Sequence, residues 1–216
     1  TPPAELQRLV EVNLTGTMLG SAAAAPWLIE AADRGAPRGV SSPRSGIINT
    51  ASIFAPLAPP GFAAYSATKA GVVAFSRALR GELATSQLNV TVTLPGVVST
   101  RLFGSARFAT PAFKAAAERF VQQTELSPES VAEQTLRAAH RGLAEAVLGR
   151  RAGRFASLRR WAPALADYLV QRRATRELGL AAQRSADDPP NNASPVTAAD
   201  QPTVARSQAH GKTCST

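Results

Sequence analysis

Apolar positions in this chain fall into runs of two periods, and the switches between them mark out its elements. Leu6, Leu9, Val10, Leu14, Met18 and Leu19 recur close to helical spacing and predict a helix over residues 3–32, with Pro26 as the point where it could break. Residues 33–45 are rich in Gly, Pro, Ser and Arg and read as a loop. Gly46-Ile47-Ile48-Asn49-Thr50-Ala51-Ser52 is a short, β-branched run bounded by turn residues, which predicts a buried strand. Pro56, Pro59, Pro60 and Gly61 then call for a loop. A helix is predicted over residues 63–85, with Val72, Phe75, Leu79 and Leu83 on one face. Val90, Val92 and Leu94 alternate with polar residues over 89–94, giving a second strand that ends at Pro95-Gly96. Strand, helix and strand at this spacing imply a right-handed crossover and a parallel sheet.

Further along, residues 110–123 and 128–142 read as two more helices. The second has Ser127 to cap it, Pro128 at its first position and Glu129 against the positive end of its dipole. Ala146-Val147-Leu148 predicts a last short strand within 145–149, and residues 155–178 a basic amphipathic helix. From Ser185 onward Pro, Asn, Ser, Asp and Gln dominate, so residues 183–216 are expected to form a disordered tail behind one domain over 1–182. No internal repeat is evident.

Composition narrows the function classes. A chain of 216 residues, 44% hydrophobic, can bury a sizeable core. No apolar run reaches the roughly 18 residues of a membrane span, and no signal peptide opens the chain, so a cytoplasmic protein is expected. Cys214 is the single cysteine, so no internal disulfide can form, and it stands one residue short of the four-residue prenylation signal. With only His140 and His210 besides, far apart, no metal site is expected. The net charge of +9 is concentrated: from Arg137 to Arg184 eleven arginines face only Glu145, Asp167 and Glu177. Such a segment could favour nucleic acid or an anionic membrane, or be a solvated helix face.

Candidate chemistry lies at Tyr65 and Lys69. Four residues apart on a predicted helix, they share a face. A free phenol titrates at about 10. An ammonium within about 4–6 Å favours the phenolate, so the pair is expected to have a lowered tyrosine pKa and to serve as a general acid/base. Ser52 ends the preceding strand and Pro95-Gly96 ends the following one. In a parallel sheet all these points fall on the carboxyl edge, where open α/β sheets bind ligands. Taken alone, Tyr-x-x-x-Lys is as readily a surface pair, Ser52 a strand-end turn residue, Asn13 a helix cap or kink, and Thr100 a helix cap. The chain's only lysines are Lys69, Lys114 and Lys212, which adds weight to a lysine placed beside the tyrosine.

Together, Ile47-Ile48-Asn49-Thr50-Ala51-Ser52, Tyr65-Ser66-Ala67-Thr68-Lys69-Ala70 and Pro95-Gly96-Val97-Val98-Ser99-Thr100 resemble the short-chain dehydrogenase/reductase family. Val12-Asn13-Leu14-Thr15-Gly16 resembles that family's asparagine segment, and the likeness runs on, more weakly, to about Leu178. The resemblance implies the C-terminal part of a Rossmann-like, doubly wound parallel sheet and an NAD- or NADP-dependent interconversion of a carbonyl and a secondary alcohol. Tyr65 would exchange the proton of the substrate oxygen, and Ser52 would hydrogen-bond that oxygen. Lys69 would depress the tyrosine pKa and hold the nicotinamide ribose. Asn13 would anchor a water linking Lys69 to solvent. Pro95, Gly96, Val98 and Thr100 would contact the carboxamide, and the hydride would come from the cofactor. Residues 102–125, with Phe103, Phe108, Phe113 and Phe120, would cover the substrate and suit an apolar one.

The family's opening strand and Thr-Gly-x-x-x-Gly-x-Gly loop, which brings backbone to the pyrophosphate, are not found ahead of Asn13. A chain truncated at its N-terminus, beginning at Thr1 rather than Met, is therefore expected. Thr15-Gly16-Thr17-Met18-Leu19-Gly20 nearly fits the pattern but stands only 36 residues before Ser52, too close for the intervening βα units. Gly16 and Gly20 are instead expected to allow close helix packing. Asn191-Asn192-Ala193-Ser194 echoes a family motif but falls in the tail. These 216 residues alone are expected to bind dinucleotide poorly, and tight binding by calorimetry would refute that.

Three functions stay open: an oxidoreductase, a non-catalytic fragment of one, and a membrane-associated module led by residues 155–178. For the last, Phe155, Leu158, Trp161, Leu165, Tyr168 and Leu169 would meet lipid, although packing on the domain or on a second subunit is the favoured use of that face. Nucleic acid has less support, with aromatic residues at 6% and no stacking platform.

Overall fold

The computed structural model describes residues 2–35, 46–86, 88–100, 114–115, 118 and 126–178. The predicted helix over 110–123, the phenylalanines at 103, 108, 113 and 120, and the tail from residue 183 lie outside them.

Three parallel strands form a sheet in the order β1-β2-β3: β1 is Gly46–Thr50, β2 Asn89–Pro95 and β3 Glu145–Leu148. Gly46 pairs with Asn89 and Thr50 with Thr93, while Val92 pairs with Glu145 and Pro95 with Leu148. A Cβ on Gly46 would sit 2.6 Å from the Asn89 carbonyl oxygen, so the first rung of the sheet requires glycine.

Before β1, a helical rod is built from α1 (Pro3–Val10), a π-helical turn (Glu11–Thr15) and α2 (Gly16–Gly35). Pro26 lies inside α2 and does not end it. A short helix, α3 (Phe54–Leu57), occupies part of the expected loop, and α4 (Ala63–Glu82) follows as the crossover. After β2 come α5 (Pro128–His140), β3, α6 (Arg150–Trp161) and α7 (Pro163–Leu178). Ser127 caps α5, its hydroxyl accepting from the Ser130 N–H at 3.2 Å. The expected single helix over 155–178 is therefore two. Ala162 leaves helical geometry at φ −139° and ψ 68°, and Pro163 starts the second helix, where its missing N–H costs nothing.

β2 is the central strand and is buried on both faces. Val90, Val92 and Leu94 meet the layer made by α2 and α4. There Ala51, Val72, Val73, Val92 and Leu94 form one apolar cluster, and Ala25, Ile47, Leu79 and Val90 a second. The alternating threonines are buried as well, and the Thr91 hydroxyl donates to the Leu143 carbonyl at 2.7 Å. β1 alternates between buried and exposed positions, with Ile48 38% exposed. Among the described residues its outer edge has no paired strand.

Polar ties cross this core. Asn49 accepts from the Ser21 hydroxyl at 3.3 Å and donates to Ser76 Oγ at 3.0 Å, joining α2, β1 and α4. Asn49→Leu strands the buried Ser21 hydroxyl and is expected to cost about 1–3 kcal/mol in denaturant unfolding. An unchanged midpoint would show that the network adds no stability. Arg80 donates to the Val90 and Gly142 carbonyls at 2.8 and 3.0 Å, fastening α4 to β2 and to the turn before β3.

Gly71, rather than Gly16 or Gly20, is the small residue at a helix contact. A Cβ on Gly71 would stand 3.0 Å from Leu14 Cδ2, whereas one on Gly20 would meet nothing within 4 Å. Gly16 and Gly20 instead line an open groove of about 420 Å³ between α2 and β1.

Candidate active site

The sheet ladder continues past the end of β1 and fixes Ser52. Its neighbours Ala51 and Ile53 donate their N–H groups to the Thr93 and Pro95 carbonyls at 2.8 and 2.9 Å. Ser52 Oγ accepts from the Phe54 N–H at 3.2 Å, which starts α3. α3 and the turn after it then return the chain so that α4 begins beside the strand ends. Tyr65 sits in the first turn of α4, half-buried, with the Ser52 hydroxyl close enough to act on its phenol. Its ring meets Phe54 edge-on, centroids 6.2 Å apart, and Phe62 packs behind Phe54 at 4.9 Å. The aromatic wall made by Phe54 and Phe62 was not foreseen from sequence.

One helical turn on, Lys69 donates from Nζ to the Thr50 carbonyl at 3.0 Å and lies 5.9 Å from the Tyr65 ring centroid. Asn13 stands in the π-helical turn, a feature frequent at functional sites. Its amide donates to Thr68 Oγ1 at 3.2 Å, and Thr68 donates to the Tyr65 carbonyl at 2.8 Å. The Asn13 carbonyl accepts from the Thr17 hydroxyl at 2.8 Å. Asn13 is thus tied to the backbone of α4 through Thr68, a residue that lay inside the quoted Tyr65–Lys69 motif but was given no role.

At the end of β2, Pro95 is buried, and the Gly96 N–H donates to the Leu148 carbonyl at 3.0 Å. Ser99 N–H is taken by the Leu126 carbonyl and Thr100 N–H by Val98. Val98 is half-buried and Thr100 exposed at the limit of the described segment. No cluster of His, Cys, Asp or Glu suited to a metal occurs among the described residues.

The electrostatics correct one expectation. Burial pushes the Tyr65 phenol above its ordinary value of 10.0, and the neighbouring Ser52 hydroxyl offsets this only in part. Burial also lowers Lys69 below its ordinary 10.5. The ammonium is directed at the Thr50 carbonyl, so loss of solvent outweighs any help it gives the phenolate. Tyr65 is therefore a protonated donor at neutral pH. The chain has two tyrosines, and Tyr168 is exposed, so Tyr168→Phe isolates Tyr65 for ultraviolet titration. Absorbance from the phenolate is expected to rise with a midpoint above about 10. A midpoint below that value would restore the lysine-dominated reading.

Residues 1–110 match the family described as short chain dehydrogenase. The chain is 36% identical over 129 residues to 3beta-hydroxysteroid dehydrogenase 1 of Eggerthella lenta, covering 59% of this chain and 45% of that protein. A 3-ketoacyl-(acyl-carrier-protein) reductase from Brucella melitensis, solved with NADH, is 27% identical with a TM-score of 0.54, over 68% of this chain and 57% of that one. A short chain dehydrogenase from Burkholderia cenocepacia J2315, solved with NADP, shares the fold at a TM-score of 0.61 and 24% identity, over 78% of this chain and 60% of that one. The chain spans about half the length of the curated relatives it matches.

Proposed function

The chain belongs to the short-chain dehydrogenase family, and from that footing we propose that it carries the acid/base site of an NAD- or NADP-dependent oxidoreductase interconverting a carbonyl and a secondary alcohol. The observation that carries the proposal is the placement of Ser52 and Tyr65 side by side at the carboxyl edge of a parallel sheet, with the Lys69 ammonium one turn away and 5.9 Å from the Tyr65 ring centroid.

Two hydroxyls on one sheet edge can both reach one incoming oxygen. Tyr65 gives its proton to that oxygen in reduction and takes it back in oxidation, and Ser52 donates a hydrogen bond that holds the oxygen against it. The raised phenol pKa keeps Tyr65 in the donor form. Lys69 uses one of its three N–H donors on Thr50, leaving two to face ribose hydroxyls. This donor set fits the nicotinamide-ribose end of a dinucleotide, with the Pro95-Gly96 turn beside it. A nicotinamide held there would supply or accept the hydride. Asn13 acts as a positioning residue, holding α4 through Thr68.

The relatives' names support a hydroxyl or keto carbon on a largely apolar body, a steroid in one case and an acyl chain in the other. Consumption of NADH or NADPH, at concentrations high enough to load a weakly binding chain, should therefore be measured with hydroxysteroid, 3-ketoacyl thioester and simple ketone substrates. Turnover that disappears in Tyr65→Phe is the expected result. Equal rates in the parent and the variant would sink the proposal.

A further inference from the structure

The basic C-terminal helices do not bury their whole apolar stripe. Phe155, Leu158 and Leu169 turn partly into the domain, and Arg159 ties α6 to α3 and α7 through the Pro56 carbonyl at 3.2 Å and Asp167 at 3.1 Å. Trp161, Leu165 and Tyr168 remain 81%, 49% and 57% exposed. With exposed Pro163 and Ala164 they make residues 161–168, at the junction of α6 and α7, a stretch of mostly exposed apolar positions.

Arginines surround this stretch. Leu165, Tyr168, Arg172 and Arg176 follow one another at i, i+3, i+7 and i+11, so the outward face of α7 passes from apolar to basic along its length. Arg160 lies 5.6 Å over the Trp161 ring, and Arg150 and Arg154 are exposed on α6. Over α6 and α7 eight arginines stand against two acids, Asp167 and Glu177, and Asp167 is engaged by Arg159.

From this arrangement we infer that the α6–α7 junction docks onto an anionic lipid bilayer, with Trp161, Leu165 and Tyr168 in the interface and Arg160, Arg172 and Arg176 against lipid phosphates. Tryptophan and tyrosine favour the headgroup level, and arginine can follow an apolar contact while keeping its charge in water. A second copy of the same face would bring like-charged arginines together. Nucleic acid would satisfy the arginines but leave Leu165 without an apolar partner. No described helix is long and apolar enough to cross a membrane, so the contact is peripheral.

The chain has two tryptophans, so Trp27→Phe leaves Trp161 as the sole indole reporter in the full chain. Vesicles of phosphatidylcholine mixed with phosphatidylglycerol should blue-shift its fluorescence and expose it to brominated-lipid quenching, with little effect from pure phosphatidylcholine. Added salt should weaken binding. Arg160→Ala/Arg172→Ala/Arg176→Ala should weaken it about tenfold or more. Leu165→Ser/Tyr168→Ser, at exposed positions, should weaken it with an unchanged circular dichroism spectrum. Absence of vesicle binding, equal binding to both vesicle types, or full binding by either variant would overturn the inference. So would a vesicle-free dimer that buries Trp161, or duplex DNA producing the same shift and displacing the vesicles.

Discussion

Replacing Tyr65 with phenylalanine is expected to lower kcat for carbonyl reduction by about 10²–10⁴-fold while leaving the fold in place. The substitution removes one oxygen, and with it the proton that Tyr65 is proposed to give the substrate oxygen. The ring keeps its edge contact with Phe54, and only the hydroxyl beside Ser52 is lost. Thermal unfolding should therefore move little. Ser52→Ala is expected to cost less, because it removes a holding hydrogen bond rather than the acid. The double variant should resemble Tyr65→Phe alone, since residues that act as a unit do not add. Lys69→Arg is not expected to substitute for lysine, because the guanidinium fork cannot reproduce a compact ammonium between Thr50 and a ribose. Full activity in Tyr65→Phe would remove the chemistry from this edge of the sheet.

The raised phenol pKa gives that reaction a direction with pH. Below the pKa of Tyr65 the donor is intact, so reduction should persist from neutral pH past the ordinary phenol range of about 10 and fall only above the raised pKa. Oxidation needs the phenolate and should rise over the same range. The sequence placed Lys69 beside Tyr65 correctly but could not weigh its charge against burial. Spacing along a helix fixes proximity, whereas burial depends on α3 and the aromatic pair Phe54 and Phe62 returning over the site.

The same division runs through the fold. Local period and turn residues made β1, β2 and α4 legible, and the strand ends then brought Ser52, Tyr65 and Pro95-Gly96 to one edge. Long-range polar pairing was not legible. Asn13 meets Thr68 across 55 residues, and Asn49 meets Ser21 and Ser76 across 28 and 27, with no pattern in the intervening sequence to announce it. Proline misled in both directions. Pro26 marks an expected break yet lies inside α2, while Pro163 falls within the helix expected over 155–178 yet begins α7. The apolar period continues across Pro163 in either case, so only the backbone at Ala162 separates one helix from two.

Leu94→Ala is expected to be the most damaging single change to stability, at about 2–5 kcal/mol. Leu94 is 2% exposed and among the largest fully buried side chains. It packs with Ala51, Val72, Val73 and Val92, and Leu14, Ala55 and Val147 close around them. These residues belong to every element that positions the site. Ala51 precedes Ser52, Val72 and Val73 lie one turn beyond Lys69, Leu14 follows Asn13, and Leu94 itself precedes Pro95-Gly96. The cavity would therefore open beneath all four site elements at once. At roughly 2–4 °C per kcal/mol for a chain of this size, the melting temperature should fall by about 4–20 °C. Leu94→Met keeps the volume and should cost under about 1.5 kcal/mol. If both variants melt together, the loss comes from side-chain shape rather than from the cavity. If neither moves, the cluster does not hold the sheet to α4, and the rigid placement of Ser52 against Tyr65 must have another source.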